Sequence, residues 1–303
     1  MNTVHVCYSV DDAYLALCKI SIFSAIVHKH PDTKLVFHIL TTKGDLSDKS
    51  VFDKFKTVDN VEIDLIELSP DMDQKITEIA DKLKYAKSIY TRWTIPFNKK
   101  LQDINKILFM DADAIPVKDL SDLYNTDLEG NALGECKSQY RILHGYMVRD
   151  MFMDDIFVNS GVILMDCNKL NEFHMAETMF QEWLKLPPRT TDEIIITKFF
   201  LDKTKFIPPH RNVLYPLIVA NLPYLKDIFY WNSLYNTNYK SMKHLLEQAD
   251  IIHMFGRKDN IQNIPKLNKV YNLLYSSMNE FLKTGIINCD TEKLKYEIVN
   301  FDK

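Results

Sequence analysis

The sequence predicts an α/β fold, a mostly parallel central sheet with helices on both faces. Three observations lead there. Strand-like and helix-like segments alternate over the first 110 residues, the order that parallel strands with crossover helices require. The apolar run Ile107-Leu108-Phe109-Met110 ends at once in Asp111 and Asp113, and such sheets bind ligands outside the carboxyl ends of their strands. The 303 residues hold no internal repeat, low-complexity segment or Pro/Gly/Ser-rich linker. Residues 1–262 are therefore expected to form one sheet-bearing domain, with residues 263–303 as a helical appendage packed on it.

In chain order, residues 4–8 read as a strand and residues 12–28 as a helix, with apolar residues at helical spacing and an Asp at its start as a cap. Residues 35–40 and 61–68 are the next strands. A polar helix over 73–84 and a second helical segment over 86–96 precede the strand at 106–110. Further strands are expected at 131–135, 157–166 and 250–253, and helices at 168–186, 192–201, 242–247 and 267–283. Residues 206–239, rich in Tyr, Pro, Asn and Leu with weak periodicity, suit a long and partly helical substrate loop.

Composition removes several function classes. Hydrophobic residues make up 46% and charged residues 26%, ordinary for a globular protein. A net charge of −4 argues against nucleic-acid binding, whose affinity comes from lysine and arginine on phosphates. The five cysteines are scattered without a C-x-x-C pair, which fits reduced thiols and a cytoplasmic protein. No signal-peptide pattern and no run of 18 apolar residues occurs, so no stable membrane anchor is expected. A homodimer is compatible with such a chain. Only seven glycines occur, and neither G-x-G-x-x-G nor a Walker A can be written. A phosphorylated ligand would have to be held by a metal and side chains.

Asp111 and Asp113 carry the chemistry. On an extended backbone residues i and i+2 point the same way, so both carboxylates would project from the end of a buried strand. Close together they repel unless a cation joins them, and a hard divalent ion that completes its shell with substrate phosphates is the natural partner. Taken alone, the spacing leaves a plain acidic turn open. Likewise Asp11 and Asp12 fit a helix cap, Arg92 a surface charge, Gly161 a tight turn and His253 a core histidine.

Several segments in order resemble glycosyltransferase family 8, leaning towards its glycogenin and lipopolysaccharide galactosyltransferase branches. Phe109-Met110-Asp111-Ala112-Asp113 looks like the family's D-x-D signature. Tyr8-Ser9-Val10-Asp11-Asp12-Ala13-Tyr14 is similar to its first strand and nucleoside-holding loop. Tyr90-Thr91-Arg92-Trp93-Thr94-Ile95-Pro96 resembles the helix that places a basic residue near the donor. Val158-Asn159-Ser160-Gly161-Val162 looks like its N-[AS]-G-V turn, and Asp192-Glu193 falls where the family has Asp-Gln. His253-Met254-Phe255-Gly256 is similar to its H-x-x-G. The resemblance spans about residues 3 to 260.

It implies a GT-A-type nucleotide-diphospho-sugar transferase fold and a metal-dependent retaining hexosyltransferase that uses a UDP-sugar, glucose favoured over galactose. Asp111, Asp113 and His253 would hold Mn²⁺, or Mg²⁺. Tyr8, Val10, Asp11, Tyr14, Arg92, Asp111, Ala112, Asp113, Asn159, Ser160, Asp192, Gly256 and Lys258 would line the UDP-sugar, with Asp192, Glu193 and Asn159 at the reacting face. The acceptor is a glycan, a lipid-linked sugar or a protein hydroxyl. Two departures stand out. The family's lysine six residues after the histidine is Asp259 here, with Lys258 one position early, and its glutamine is Glu193. These keep a catalytically impaired UDP-sugar binding module open, and the resemblance to glycogenin keeps open a self-glucosylating protein with Tyr215, Tyr224, Tyr230 or Tyr235 as acceptor.

Overall fold

A computed structural model describes residues 2–138, 157–188, 190–219, 226–254 and 261–301. The chain begins β1 (Asn2–Ser9), α1 (Leu15–His28), β2 (Thr33–Thr41), β3 (Val61–Glu67). After α2 (Pro70–Leu83) and the short α3 (Ser88–Thr91), residues 92–97 form a 3₁₀ turn. Then come β4 (Lys106–Met110), β5 (Ala114–Pro116), α4 (Ser121–Tyr124), β6 (Leu133–Lys137) and β7 (Val158–Asp166). Helices α5 (Cys167–Glu172), α6 (Met175–Trp183) and α7 (Asp192–Phe199) lead to β8 (Thr204–Phe206) and β9 (Val213–Leu214). The rest is α8 (Tyr215–Val219), α9 (Ile228–Tyr235), α10 (Met242–Glu247), β10 (Ile251–His253), α11 (Pro265–Thr284) and α12 (Thr291–Val299).

Among the described residues, seven strands form one sheet in the order β3-β2-β1-β4-β7-β6-β8. Pairings β3–β2, β2–β1, β1–β4 and β6–β8 are parallel, whereas β7 runs antiparallel to both its neighbours. Strand alternation divides the core. Val4, Val6, Tyr8, Leu108 and Met110 face one apolar cluster shared with α1 and α11. Cys7, Ile107, Phe109 and Leu133 face another, shared with α2, α6 and α7. Burial on both faces is why these strands read as nearly continuous apolar runs. The five cysteines are free thiols, and no helix among the described residues is long and apolar enough to cross a membrane.

Several expectations need correction. The helix expected over 168–186 is two helices, because His174 takes a left-handed conformation (φ 49°) between them; apolar spacing carries no sign of such a break. A second sheet, β5-β10-β9, was not anticipated, since strands of two or three residues have no readable period. Helix α12 was missed as well. The described residues of 206–239 include the short helices α8 and α9, as a partly helical stretch requires, but one of its tyrosines is not at the surface. Tyr215 opens α8 fully buried, and its hydroxyl donates to the Ile298 carbonyl at 3.0 Å. Burial pushes that phenol's pKa up. Tyr215 is thus a core residue, which removes it as a candidate acceptor. The Tyr235 hydroxyl is bound to the Lys137 carbonyl at 2.5 Å, and Tyr224 lies outside the described residues.

Candidate active site

The site forms where β4 runs out. The Asp111 amide donates to the Gly161 carbonyl at 2.7 Å, and the Ala114 amide returns to the Asp111 carbonyl at 3.0 Å. Residues 111–114 are therefore a turn, and the two carboxylates share a side because of that turn rather than by strand alternation. The chain leaves it as β5, which pairs antiparallel with β10 so that Ala114 lies opposite His253. The Met254 amide donates to the Asp113 carbonyl at 2.9 Å. The small sheet thus carries His253 to the aspartates: one ligand atom from each of Asp111, Asp113 and His253 lies within 4.8 Å of the others. His253 Nε2 is 3.3 Å from Asp113 Oδ1.

Two carboxylates and one imidazole are a donor set for a small divalent cation such as Mn²⁺ or Mg²⁺, and the electrostatics fit one. Burial, with the charge of Asp113, holds the Asp111 carboxyl above its ordinary range, although Arg92 opposes this. Burial lowers the His253 imidazole, but Asp113, Asp111 and Glu193 outweigh it and raise its pKa. A cation between these groups would relieve both effects.

Arg92, in the turn after α3, is only 4% exposed, so it is not a surface charge. Its Nη2 lies 2.7 Å from Asp111 Oδ1 and its Nε 3.6 Å from Asp192 Oδ2. Nη1 donates to the Ser160 carbonyl, and the guanidinium sits 4.3 Å over the Phe109 ring. One buried cation thus ties β4, β7 and α7 together.

The start of α7 supplies the other wall. Asp192 accepts from Trp93 Nε1 at 3.1 Å through Oδ2, and from Ser160 Oγ at 2.9 Å and the Glu193 amide at 3.1 Å through Oδ1. Glu193 Oε1 accepts from Asn159 Nδ2 at 3.1 Å and the Ser160 amide at 3.2 Å. Asn159 is oriented in turn by Asn212 Nδ2, 2.7 Å from its Oδ1. Burial, then the neighbouring Asp192, lifts the Glu193 carboxyl to a pKa of about 8.

On the nucleoside side the placement differs from the expectation. Tyr8 and Val10 are 0% and 1% exposed, and the Tyr8 hydroxyl is 2.8 Å from Ser21 Oγ; only backbone is left for a ligand at these positions. Asp11 Oδ1 accepts from the Tyr14 amide at 3.1 Å, just ahead of α1. Asp12 does not cap that helix; its carboxylate accepts from the Ser47 amide at 3.1 and 3.2 Å. Ala112 is buried between the aspartates. Gly256 and Lys258 lie outside the described residues.

Three residues of the site were missed in the sequence. Trp93 and Asn212 act only through contacts that fold together from afar. Glu135 left a signal: a lone acid inside a strand, on the same face as Leu133. It is 0% exposed, and among the described residues neither of its oxygens has a hydrogen-bond partner. Burial, then Asp192 and Glu193, raises its pKa well above the ordinary carboxyl range. It stands where the β6–β7 register shifts, Glu135 opposite Ile163 but Cys136 opposite Asn159, beside Asn159-Ser160-Gly161, which lies within β7 and is not the turn expected from the sequence.

A glycosyltransferase of Haemophilus influenzae is 23% identical over 214 residues, 68% of this chain and 62% of its own length. Galacturonosyltransferase-like protein 4 of Arabidopsis thaliana is 22% identical over 203 residues, 61% of this chain and 55% of its own. The chain therefore spans less than two thirds of either relative. The crystal structure of the galactosyltransferase LgtC with donor and acceptor sugar analogs superposes with a TM-score of 0.68 at 19% identity, covering 90% of this chain and 96% of that one. The likeness establishes the GT-A fold. The family model for glycosyl transferase family 8 matches residues 5–258, and the chain belongs to that family.

Proposed function

We propose that this protein transfers a hexose, glucose favoured over galactose, from a UDP-sugar to a hydroxyl acceptor with retention of anomeric configuration, and that it depends on a divalent cation. The observation that carries this reading is the meeting of Asp111, Asp113 and His253 beside a buried arginine and a half-buried glutamate. The three would hold Mn²⁺, or Mg²⁺, which when bound stabilises charge on the UDP leaving group. Arg92 adds a fixed positive charge behind Asp111. Asp11, Tyr14, Ser160 and the backbone of Tyr8, Val10 and Ala112 would line the nucleotide, with Gly256 and Lys258 on the diphosphate.

Asp192 is held rigidly by four groups and would orient the sugar. Glu193 has one oxygen fixed by Asn159 and Ser160, which sets the plane of its carboxyl. Its second oxygen would face the anomeric carbon, either as nucleophile or as the group that steadies positive charge during front-face attack. Purified protein given UDP-glucose or UDP-galactose with Mn²⁺, with Mg²⁺ or with EDTA tests the proposal through UDP release, with and without a panel of glycan, lipid-linked and peptide acceptors. Metal-dependent, acceptor-stimulated release is expected. Tight UDP binding without release from either donor would instead make this a binding module.

A further inference from the structure

Glu135 is costly where it stands. A buried carboxyl without a hydrogen-bond partner loses its hydration and receives nothing in exchange. An apolar side chain at that point of β6 would be easier to accommodate. Around it most polar groups are already engaged, although Arg92 Nε, 3.6 Å from Asp192 Oδ2, makes no hydrogen bond among the described residues. Asp192 has both oxygens filled by Trp93, Ser160 and the Glu193 amide. The guanidinium of Arg92 is engaged by Asp111, the Ser160 carbonyl and Asp192. Glu135 itself interacts with Asp192, Glu193 and Arg92. The wall formed by β6 and the start of α7 therefore has surplus acceptors; the lysine at the end of β6, Lys137, donates instead to the Leu234 carbonyl, and Arg92 is the cation that acts on Glu135.

We propose that Glu135, Asp192 and Glu193 form an acidic wall of the sugar subsite that admits neutral hexosyl donors and rejects donors whose C6 is a carboxylate. The inference rests on the UDP-hexose reading above and narrows it. A neutral hexose brings hydroxyl donors, which a surplus of carboxyl acceptors can receive. A hexuronate replaces the C6 hydroxyl by a group that only accepts. It adds a negative charge to a buried cluster whose described cations are Arg92 and, when protonated, His253, facing Asp111, Asp113, Asp192 and, once it is deprotonated, Glu193, while Glu135 keeps its proton and stays neutral. Like charges in such a setting are strongly disfavoured. Because Glu193 takes up its charge as pH rises through about 8, rejection should sharpen over that range.

The test is calorimetric titration of the whole protein in Mn²⁺ with UDP-glucose and UDP-glucuronate, a pair that differs only at C6, at pH 6.5 and pH 9. UDP-glucuronate should bind at least about tenfold more weakly at pH 6.5, a difference of about 1.4 kcal/mol. The ratio should widen several-fold at pH 9. In Glu193→Gln it should stay flat with pH, a response that a merely structural role would not produce. UDP-glucuronate binding within about threefold of UDP-glucose overturns the selectivity and leaves the UDP-hexose reading standing. Failure of UDP-glucose itself to bind overturns both.

Discussion

Gly161 lies against the ring of His253: a β-carbon placed on Gly161 would fall 2.0 Å from Cε1 and 2.7 Å from Nδ1 of the imidazole. The glycine, at the start of β7, is there for close approach rather than for a special backbone angle. The ring it makes room for is one of the three candidate metal ligands.

Gly161→Ala should therefore push His253 out of reach of Asp113. Overpacking of this kind costs about 1–3 kcal/mol, so the variant should fold with a lowered Tm. Its Mn²⁺ affinity, measured by calorimetry with UDP present, should fall by more than the loss of Tm explains. Wild-type Mn²⁺ affinity in the variant would mean that His253 is not a ligand.

Glu193→Gln separates two roles. If the carboxylate attacks or supports the anomeric carbon, kcat should drop at least about tenfold while UDP affinity stays nearly constant. If Glu193 serves only as a hydrogen-bonding group, the amide should replace it well. A kcat within about threefold of wild type, under about 0.7 kcal/mol of barrier, excludes the nucleophile role.

Glu135→Gln should stabilise the protein in a pH-dependent way. The folded state keeps a proton on Glu135 that the unfolded chain releases once pH exceeds the ordinary carboxyl value. Wild type is therefore unpenalised in acid and loses stability as pH rises, by about 1.4 kcal/mol per unit while the folded carboxyl stays protonated. The amide removes this loss. Thermal melts of both proteins from pH 5 to pH 8 should diverge, with the variant increasingly ahead. Parallel curves would show that Glu135 is ionised and paired in the folded protein.

Much of this site can be read from the chain, for reasons that differ by residue. Lys106 to Met110 emerged as a strand because burial on both faces leaves an unbroken apolar run, and the acids that end it mark where the sheet stops. Asp192 and Glu193 open α7 as expected. What joins them was not legible. His253 reaches Asp113 through β5 and β10, strands of three residues each, too short to show a period. Arg92 has the spacing of a surface residue on an amphipathic segment and is buried only because Asp111, Ser160 and Asp192 arrive from distant parts of the chain. Tyr215 was misplaced because Tyr-Pro-Leu composition resembles a loop, whereas α12, far along the chain, folds back to receive its hydroxyl. Pairings over long sequence separation are what a single sequence does not state.

Asp111, Asp113 and His253 together would bind the divalent cation that carries the donor. The direct measurement is the free Mn²⁺ signal in electron paramagnetic resonance, titrated with protein and UDP, for wild type and for Asp113→Asn, which removes one ligand charge with little change of shape. Wild type should take up one Mn²⁺ per chain in a UDP-dependent way, and the variant, at matched folding, should bind at least about tenfold more weakly. Equal uptake by the two proteins, or no uptake by wild type, would contradict the account.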